Sequence, residues 1–156
     1  YLMQTSFHVK DDYAYQKVMI EISSTPEEIF PYLATTKGVQ QWFPELSYRG
    51  SEELRFDLGD GTYEDMEVMR YDNPNVIHFT WATGEVEILL EGNEDKTQLI
   101  LNERLPLSFE TVAQDFTGWQ FKVKSIKNFI EQGETVEHDP ELFASEQKKV
   151  EEQLNI

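Results

Sequence analysis

One apolar stripe near the end of the chain constrains the fold more than any other feature. Its members recur at spacings of three and four residues: Phe109, Val112, Phe116, Trp119, Val123, Ile126 and Ile130. This spacing places them on one face of an α-helix of about six turns. Ser108 is a candidate N-cap for that helix, and Gly133 is a candidate end. A helix with one apolar face needs a surface to cover it, which the rest of the chain must supply.

The part of the chain before the stripe has the pattern of about six β-strands joined by short turns. They span residues 15–22, 53–58, 63–71, 76–82, 85–91 and 97–105. In the first, Val18, Ile20 and Ile22 alternate with polar residues, as in a strand with one buried face. Asp60-Gly61 favours a type I′ hairpin between the second and third. Connections this short predict an antiparallel sheet.

Two short helices are predicted after the first strand. Thr25-Pro26-Glu27-Glu28 has the pattern of a capping box with proline in the first turn, and a second helical turn ends at Trp42-Phe43. The predicted fold class is therefore α+β, with a curved antiparallel sheet wrapped around a long C-terminal helix. A coiled coil is the competing interpretation of the stripe. It is less favoured because the strands need something to cover their apolar face.

At 156 residues the chain has the length of one ordinary domain, followed by a short extension. We assign residues 1–133 to the domain and residues 134–156 to an acidic helical extension. Asp139-Pro140-Glu141 is a good helix start, and Phe143, Val150 and Leu154 form a thin apolar edge. We expect this helix to pack on the body or on a second subunit, and a frayed tail is the alternative.

Composition excludes several classes of function. The net charge of −17 disfavours nucleic acid and anionic membranes as partners, although it suits a basic protein. No apolar run approaches the ~20 residues that a transmembrane helix needs. The chain has no cysteine, hence no disulfide and no thiolate metal site. Because the N-terminus also lacks a signal-peptide pattern, we expect a cytoplasmic protein.

Motifs for catalysis, cofactors or metals are absent. His8, His78 and His138 lie far apart, and none has a neighbour at metal-ligand spacing. We find no phosphate-binding glycine loop and no nucleophile motif, so no cofactor and no catalytic set is predicted. His78 has the opposite parity to the apolar residues of its strand and should point outward.

Glu103 is the carboxyl group that differs most from its surroundings. It shares parity with Leu99 and Leu101 on an otherwise apolar strand face, which would bury it. The other interpretation places it at the end of the strand, near solvent. If buried, it could take part in acid–base chemistry.

Several short motifs occur in a familiar order. They are Thr25-Pro26-Glu27-Glu28-Ile29-Phe30, Trp42-Phe43, Gly61 with Tyr63, the strand Ile77-His78-Phe79-Thr80-Trp81, and Gly118-Trp119. Together they resemble the START-like (SRPBCC, helix-grip) superfamily, and within it domains related to the activator of the heat-shock-protein-90 ATPase. The resemblance covers roughly residues 15–131. It implies the helix-grip fold, and its relatives include hydrophobic-ligand carriers, polyketide cyclases and chaperone-binding domains.

The aromatic residues define the predicted site. Those expected between sheet and helix are Trp42, Phe43, Phe56, Phe79, Trp81, Phe116 and Trp119. Such rings either fill a core or line a cavity, and we add Glu103 as the polar member of the set. Gly118 costs about 1 kcal/mol within a helix, which indicates close approach to the sheet or to a ligand.

Three functions follow from these observations. The leading hypothesis is a START-like domain that binds a small hydrophobic ligand in a cavity between the sheet and the C-terminal helix. The second is a protein-interaction module, with a chaperone or a second copy of the chain as partner. The third is a cyclase- or hydrolase-like enzyme with Glu103 or His78 as its base.

Overall fold

A computed structural model describes residues 3–156 of the chain. The strands are β1 (Gln4–Lys10), β2 (Tyr13–Ile22), β3 (Leu46–Arg49), β4 (Glu53–Asp57), β5 (Tyr63–Asp72), β6 (Val76–Trp81), β7 (Gly84–Asn93) and β8 (Lys96–Pro106). The helices are α1 (Pro26–Ala34), α2 (Thr36–Val39), α3 (Val112–Gln132) and α4 (Pro140–Leu154). Residues 1 and 2, with which the predicted domain begins, lie outside the described part.

The strands form one antiparallel sheet in the order β1-β2-β8-β7-β6-β5-β4-β3. The predicted number of about six strands is wrong, because the sheet has eight strands. The predicted six correspond to β2 and β4 to β8, so the two short helices follow the second strand rather than the first. The missed β1 is an edge strand with only Phe7 partly buried, and β3 has four residues. Neither offers enough apolar alternation to be detected.

From Val112 onward the predicted stripe lies on α3 and packs on one face of the sheet, whereas its first member, Phe109, precedes the helix. Phe116, Val123 and Ile126 of α3 are fully buried, as are Val18 and Ile22 of β2. α3 lies against β2 and β8, the second and third strands of the sheet counted from the β1 edge. This contact explains the helical spacing of the stripe without a coiled coil.

The end of α3 was predicted better than its beginning. Gly133 adopts the left-handed conformation with φ of 78°, and its N–H donates to the carbonyl oxygen of Phe129 at 2.8 Å. The predicted cap Ser108 is wrong, since α3 begins at Val112 and Thr111 precedes it without a side-chain cap. Residues 107–110 instead form a turn after β8, in which Phe109 N–H donates to Pro106.

The segment between β2 and β3 carries two aromatic side chains into the core. α1 begins with the predicted capping box, in which Thr25 and Glu28 each accept a hydrogen bond from the other's backbone N–H. α2 then leads to Trp42 and Phe43, both almost completely buried. Trp42 Nε1 donates to the carbonyl oxygen of Tyr32 at 2.8 Å, which fixes the indole against α1.

The hairpin between β4 and β5 is present, but its turn differs from the predicted type I′. Such a turn needs positive φ at both central residues. Here Gly59 and Gly61 have φ of 85° and 87°, and Asp60 between them does not. The Asp60 carboxylate accepts a hydrogen bond from Thr62 N–H at 3.0 Å. Two glycines and a side-chain bond thus form a longer loop.

The C-terminal helix α4 packs on α3 and β1. Val150 and Leu154 are buried, and the Phe143 ring stacks on Phe121 of α3 with centroids 5.4 Å apart. Asp139 caps the helix by accepting from Leu142 N–H at 3.1 Å. Within residues 3–156, none of the helices combines the length and apolar character needed to span a bilayer.

Candidate functional site

Trp119 of α3 lies at the centre of an aromatic cluster. Its ring centroid is 5.1 Å from that of Trp81, 5.6 Å from Phe43, 6.2 Å from Phe79 and 6.3 Å from Trp42. The rings meet edge-on or tilted, an arrangement worth about 0.5–1.5 kcal/mol per pair beyond burial. The cluster therefore holds its members in fixed positions.

Phe56 extends this cluster toward the surface, whereas Phe116 lies apart from it. The half-buried Phe56 ring is 5.7 Å from Phe43 and 5.8 Å from Trp81. Phe116 is fully buried beside Phe7, 6.4 Å away, under the edge of the sheet. The structure thus brings all the predicted rings together except Phe116.

A groove of about 330 Å³ opens beside the cluster, between α3 and the sheet. Among the residues that line it are Phe43, Phe56, Trp81 and Trp119, with Asp115 and Lys122 on α3. It is an open groove rather than the enclosed cavity that was predicted. Trp42, Phe79, Phe116 and Glu103 do not line it and belong to the packed interior behind.

Gly118 lies in the wall of the groove, and it does not mark close packing against the sheet. A Cβ atom placed on it would meet no atom within 4 Å. The space beside this turn of α3 is therefore open, and the missing side chain contributes to the opening.

Asp115 provides the acidic group of the groove. Its Oδ1 and Oδ2 accept from Trp81 Nε1 at 3.2 and 3.1 Å. The carboxylate therefore fixes the Trp81 indole, which lies in the wall of the same groove. A buried indole N–H usually finds such a partner.

Glu103 lies behind Asp115, with 1% of its surface exposed. The interpretation that placed it near solvent is wrong. Gln16 Nε2 donates to Glu103 Oε1 at 3.0 Å and also to the Phe116 carbonyl oxygen at 3.0 Å. Gln120 Nε2 in turn donates to Gln16 Oε1 at 3.2 Å. The burial follows from the strand parity. Gln16 is the polar partner of Glu103, and Gln120 holds Gln16 in place.

The surroundings of the second oxygen of Glu103 favour the protonated form of the carboxyl. Oε2 is buried without a donor among the described residues, and the Asp115 carboxylate is its neighbour. Burial raises the pKa of Glu103 well above its usual value, the Asp115 carboxylate raises it further, and the bond from Gln16 acts in the opposite direction. A proton on Oε2 resolves the conflict, because the hydroxyl then donates to Asp115.

Lys122 provides the basic group of the groove. Its Nζ lies 4.2 Å from the Phe43 ring centroid and 3.4 Å from the Trp42 carbonyl oxygen. Burial lowers the pKa of this ammonium group, while the Glu45 carboxylate favours the charged form. Lys122 follows Asp115 by two helical turns, or about 10.5 Å along the axis, since α-helices rise 1.5 Å per residue.

His78 lies on the convex face of the sheet, as predicted, and thus away from the groove. Its Nε2 is 3.5 Å from Glu85 Oε1, and Arg104 Nη2 is 3.3 Å from Glu85 Oε2. A second recess of about 310 Å³ lies here, and Glu85 is the carboxylate that both His78 and Arg104 approach. Neither His78 nor Glu103 lines the groove.

In the described part of the chain, no group of three or more potential ligand side chains could hold a metal ion.

Sequence reasoning missed five residues that line the groove, Thr111, Gln114, Asp115, Lys122 and Phe143, and it named Gly118 only as a possible contact of the sheet or of a ligand. Asp115 and Lys122 were detectable in principle. They stand four before and three after Trp119, which places them on its face of the helix. Phe143 offered no such signal, because its position depends on how α4 packs.

Comparison with known proteins identifies the fold. No family model and no curated protein matches the chain. Among solved structures, a conserved protein of unknown function from Enterococcus faecalis, EF2215, is 28% identical with a TM-score of 0.85, over 96% of this chain and 92% of that one. CalU16 from Micromonospora echinospora is 18% identical with a TM-score of 0.73, over 97% and 94%. The Aha1 dimer from Colwellia psychrerythraea is 22% identical with a TM-score of 0.65, over 75% and 96%. These similarities, together with the eight-stranded sheet and its C-terminal helices, show that the chain has a START-like fold.

Proposed function

We propose that this protein binds a small hydrophobic molecule, in particular an aromatic one, in the groove between α3 and the sheet. The observation that carries the proposal is the wall of fixed aromatic rings beside open space. Phe43, Phe56, Trp81 and Trp119 contact one another and line one groove. A flat ligand can pack against the part of this wall that faces the groove, above all the half-buried Phe56, without first ordering the rings.

The size of the groove limits the ligand. Small-molecule sites usually measure about 300–1,000 Å³, so a groove of about 330 Å³ fits a compound of one or two rings. Because the rings are already buried against one another, binding costs little side-chain entropy.

Gly118 allows a direct test. Gly118→Leu introduces a good helix former and places a branched side chain in the open space of the groove. Gly118→Ala is the matched control, since a methyl group leaves most of that space open. We expect Gly118→Ala to raise the free energy of unfolding by up to about 1 kcal/mol through helix propensity alone.

The measurement is the melting temperature with and without a panel of one- and two-ring aromatic compounds. A ligand at 100 times its Kd adds about 2.7 kcal/mol to the stability of the native state. We expect wild type and Gly118→Ala to be stabilised by the same compounds and Gly118→Leu not to be. A shift that persists in Gly118→Leu would place the ligand elsewhere, and no shift in wild type would reject the function.

A further inference from the structure

We propose that the groove selects flat aromatic molecules that carry a hydrogen-bond donor at one end and an anionic group at the other. This inference rests on the proposed function and specifies its ligand class. Asp115 accepts the donor, and Lys122 binds the anionic group. Gly118 lies between them on the same side of α3 and leaves room for the aromatic body.

The acidic end accepts hydrogen bonds and repels anions. An ionised carboxylate has about four acceptor positions, and the Trp81 N–H is a single donor shared by both oxygens. The neighbouring Glu103 carboxyl takes at most one more. Because Asp115 also lines the groove, its remaining positions are available to an N–H or O–H of the ligand.

The basic end has the opposite preference. An ammonium group has three donors, and the contact of Lys122 Nζ with the carbonyl oxygen of Trp42 is long at 3.4 Å. Its partial burial removes part of its hydration, which an anionic partner would replace. The chain as a whole has a net charge of −17, so the ammonium group of Lys122 gives this end of the groove a charge opposite to that of the protein.

The spacing of the two groups fits a bicyclic ligand. Two helical turns separate Asp115 from Lys122, about 10.5 Å along the axis, and both side chains can bend toward the space beside Gly118. A naphthalene ring substituted at opposite ends spans a comparable length. A groove with only one of these two charged groups would accept many apolar acids or many apolar amines. The selectivity therefore comes from having Asp115 and Lys122 together.

Four probes with one ring system separate the two ends: 6-amino-2-naphthoic acid, 2-naphthoic acid, 2-aminonaphthalene and naphthalene. Isothermal titration calorimetry near pH 7 gives their affinities for the wild-type protein. We expect the aminonaphthoic acid to bind about tenfold more tightly than either singly substituted probe, since one good hydrogen bond contributes about 1.4 kcal/mol.

Two variants assign each end to its residue. Asp115→Asn keeps an acceptor for Trp81 but removes the charge, and should weaken only the two amines, by about tenfold. Lys122→Met keeps the apolar stem and should weaken only the two acids. Glu110→Gln and Lys124→Met make the same charge changes outside the groove and should alter no affinity by more than about twofold.

The probe that each variant leaves unaffected also shows that the variant has folded. Equal affinity of all four probes for wild type, or uniform weakening by both variants, would overturn the selectivity while leaving aromatic binding in place. Failure of every probe to bind wild type would instead reject the proposed function.

Discussion

At the scale of single residues, the carboxyl of Glu103 dominates the electrostatics of the interior. It is almost completely buried, and its pKa is raised by burial first and by Asp115 second. In the unfolded chain it titrates near its usual value of 4.5. The folded state therefore holds the proton more tightly. The stability that this group contributes is fully present below pH 4.5 and is lost as the pH rises toward the raised pKa.

Glu103→Gln should remove this pH dependence. The glutamine keeps an acceptor for Gln16 and supplies an N–H toward Asp115 without a titrating proton. We expect the variant to gain stability relative to wild type as the pH rises above about 4.5, by at most about 1.4 kcal/mol per pH unit.

Urea unfolding at about pH 4.5, 6 and 7.5 measures the free energy of unfolding of both proteins. In the difference between the two proteins, the contributions of the other carboxylates cancel. A difference that does not change with pH would show that Glu103 titrates alike in the folded and unfolded states.

Some residue positions could be predicted and others could not. Alternation along β6 and helical spacing along α3 were enough to predict that Phe79, Trp81 and Trp119 lie together between the sheet and the helix. The same alternation buried Glu103. Its contact with Asp115 was not predictable, because a turn separates the two residues and the crossing of α3 over the sheet decides where they meet.

At the scale of elements, helices and strands with strong apolar periodicity were predicted correctly, whereas short or exposed strands were missed. α3 and β2 have a buried face along their whole length, so the apolar pattern identifies them. β1 is held by pairing with β2 and by contact with α4, which leave no apolar alternation of its own. Backbone pairing and tertiary contact, unlike side-chain burial, leave little trace in a sequence.

The packing of α4 can be tested with two truncations on one helix. Val150 is 2% exposed, and Val150→Ala removes two buried methyl groups, which should cost about 2 kcal/mol with the cavity included. Leu142 is 42% exposed, so Leu142→Ala should change stability by less than about 0.5 kcal/mol. Chemical denaturation measures both changes. Equal effects would mean that α4 does not pack on the body through Val150.

At the scale of the whole molecule, the net charge of −17 opposes folding by self-repulsion. Salt screens this repulsion, and the exposed ion pairs that salt also weakens contribute little each. We expect the melting temperature to rise when sodium chloride increases from about 20 to 300 mM.

A charge variant provides the control for this prediction. Glu152→Lys changes the exposed face of α4 and brings the net charge from −17 to −15, as −17 + 2. Its melting temperature should rise less with salt than that of wild type. A melting temperature that falls with salt in both proteins would show that specific ion pairs outweigh the repulsion.

The overall architecture was predictable because one constraint spans the chain. A long helix with one apolar face and a series of half-apolar strands can satisfy each other in few ways. The groove was less predictable, since its opening depends on the absence of a side chain at Gly118 and on the angle at which separate elements meet.

Phe143 connects the last helix to the groove, because its ring lies against Phe121 and also borders the groove. Part of the proposed binding surface thus comes from a segment that follows the sheet and α3. An exchange of this terminal segment that keeps Val150 and Leu154, which are buried on the body, would reshape the groove and leave the sheet and α3 unchanged. Chains with the same sheet and α3 would in this way differ in the shape of this groove.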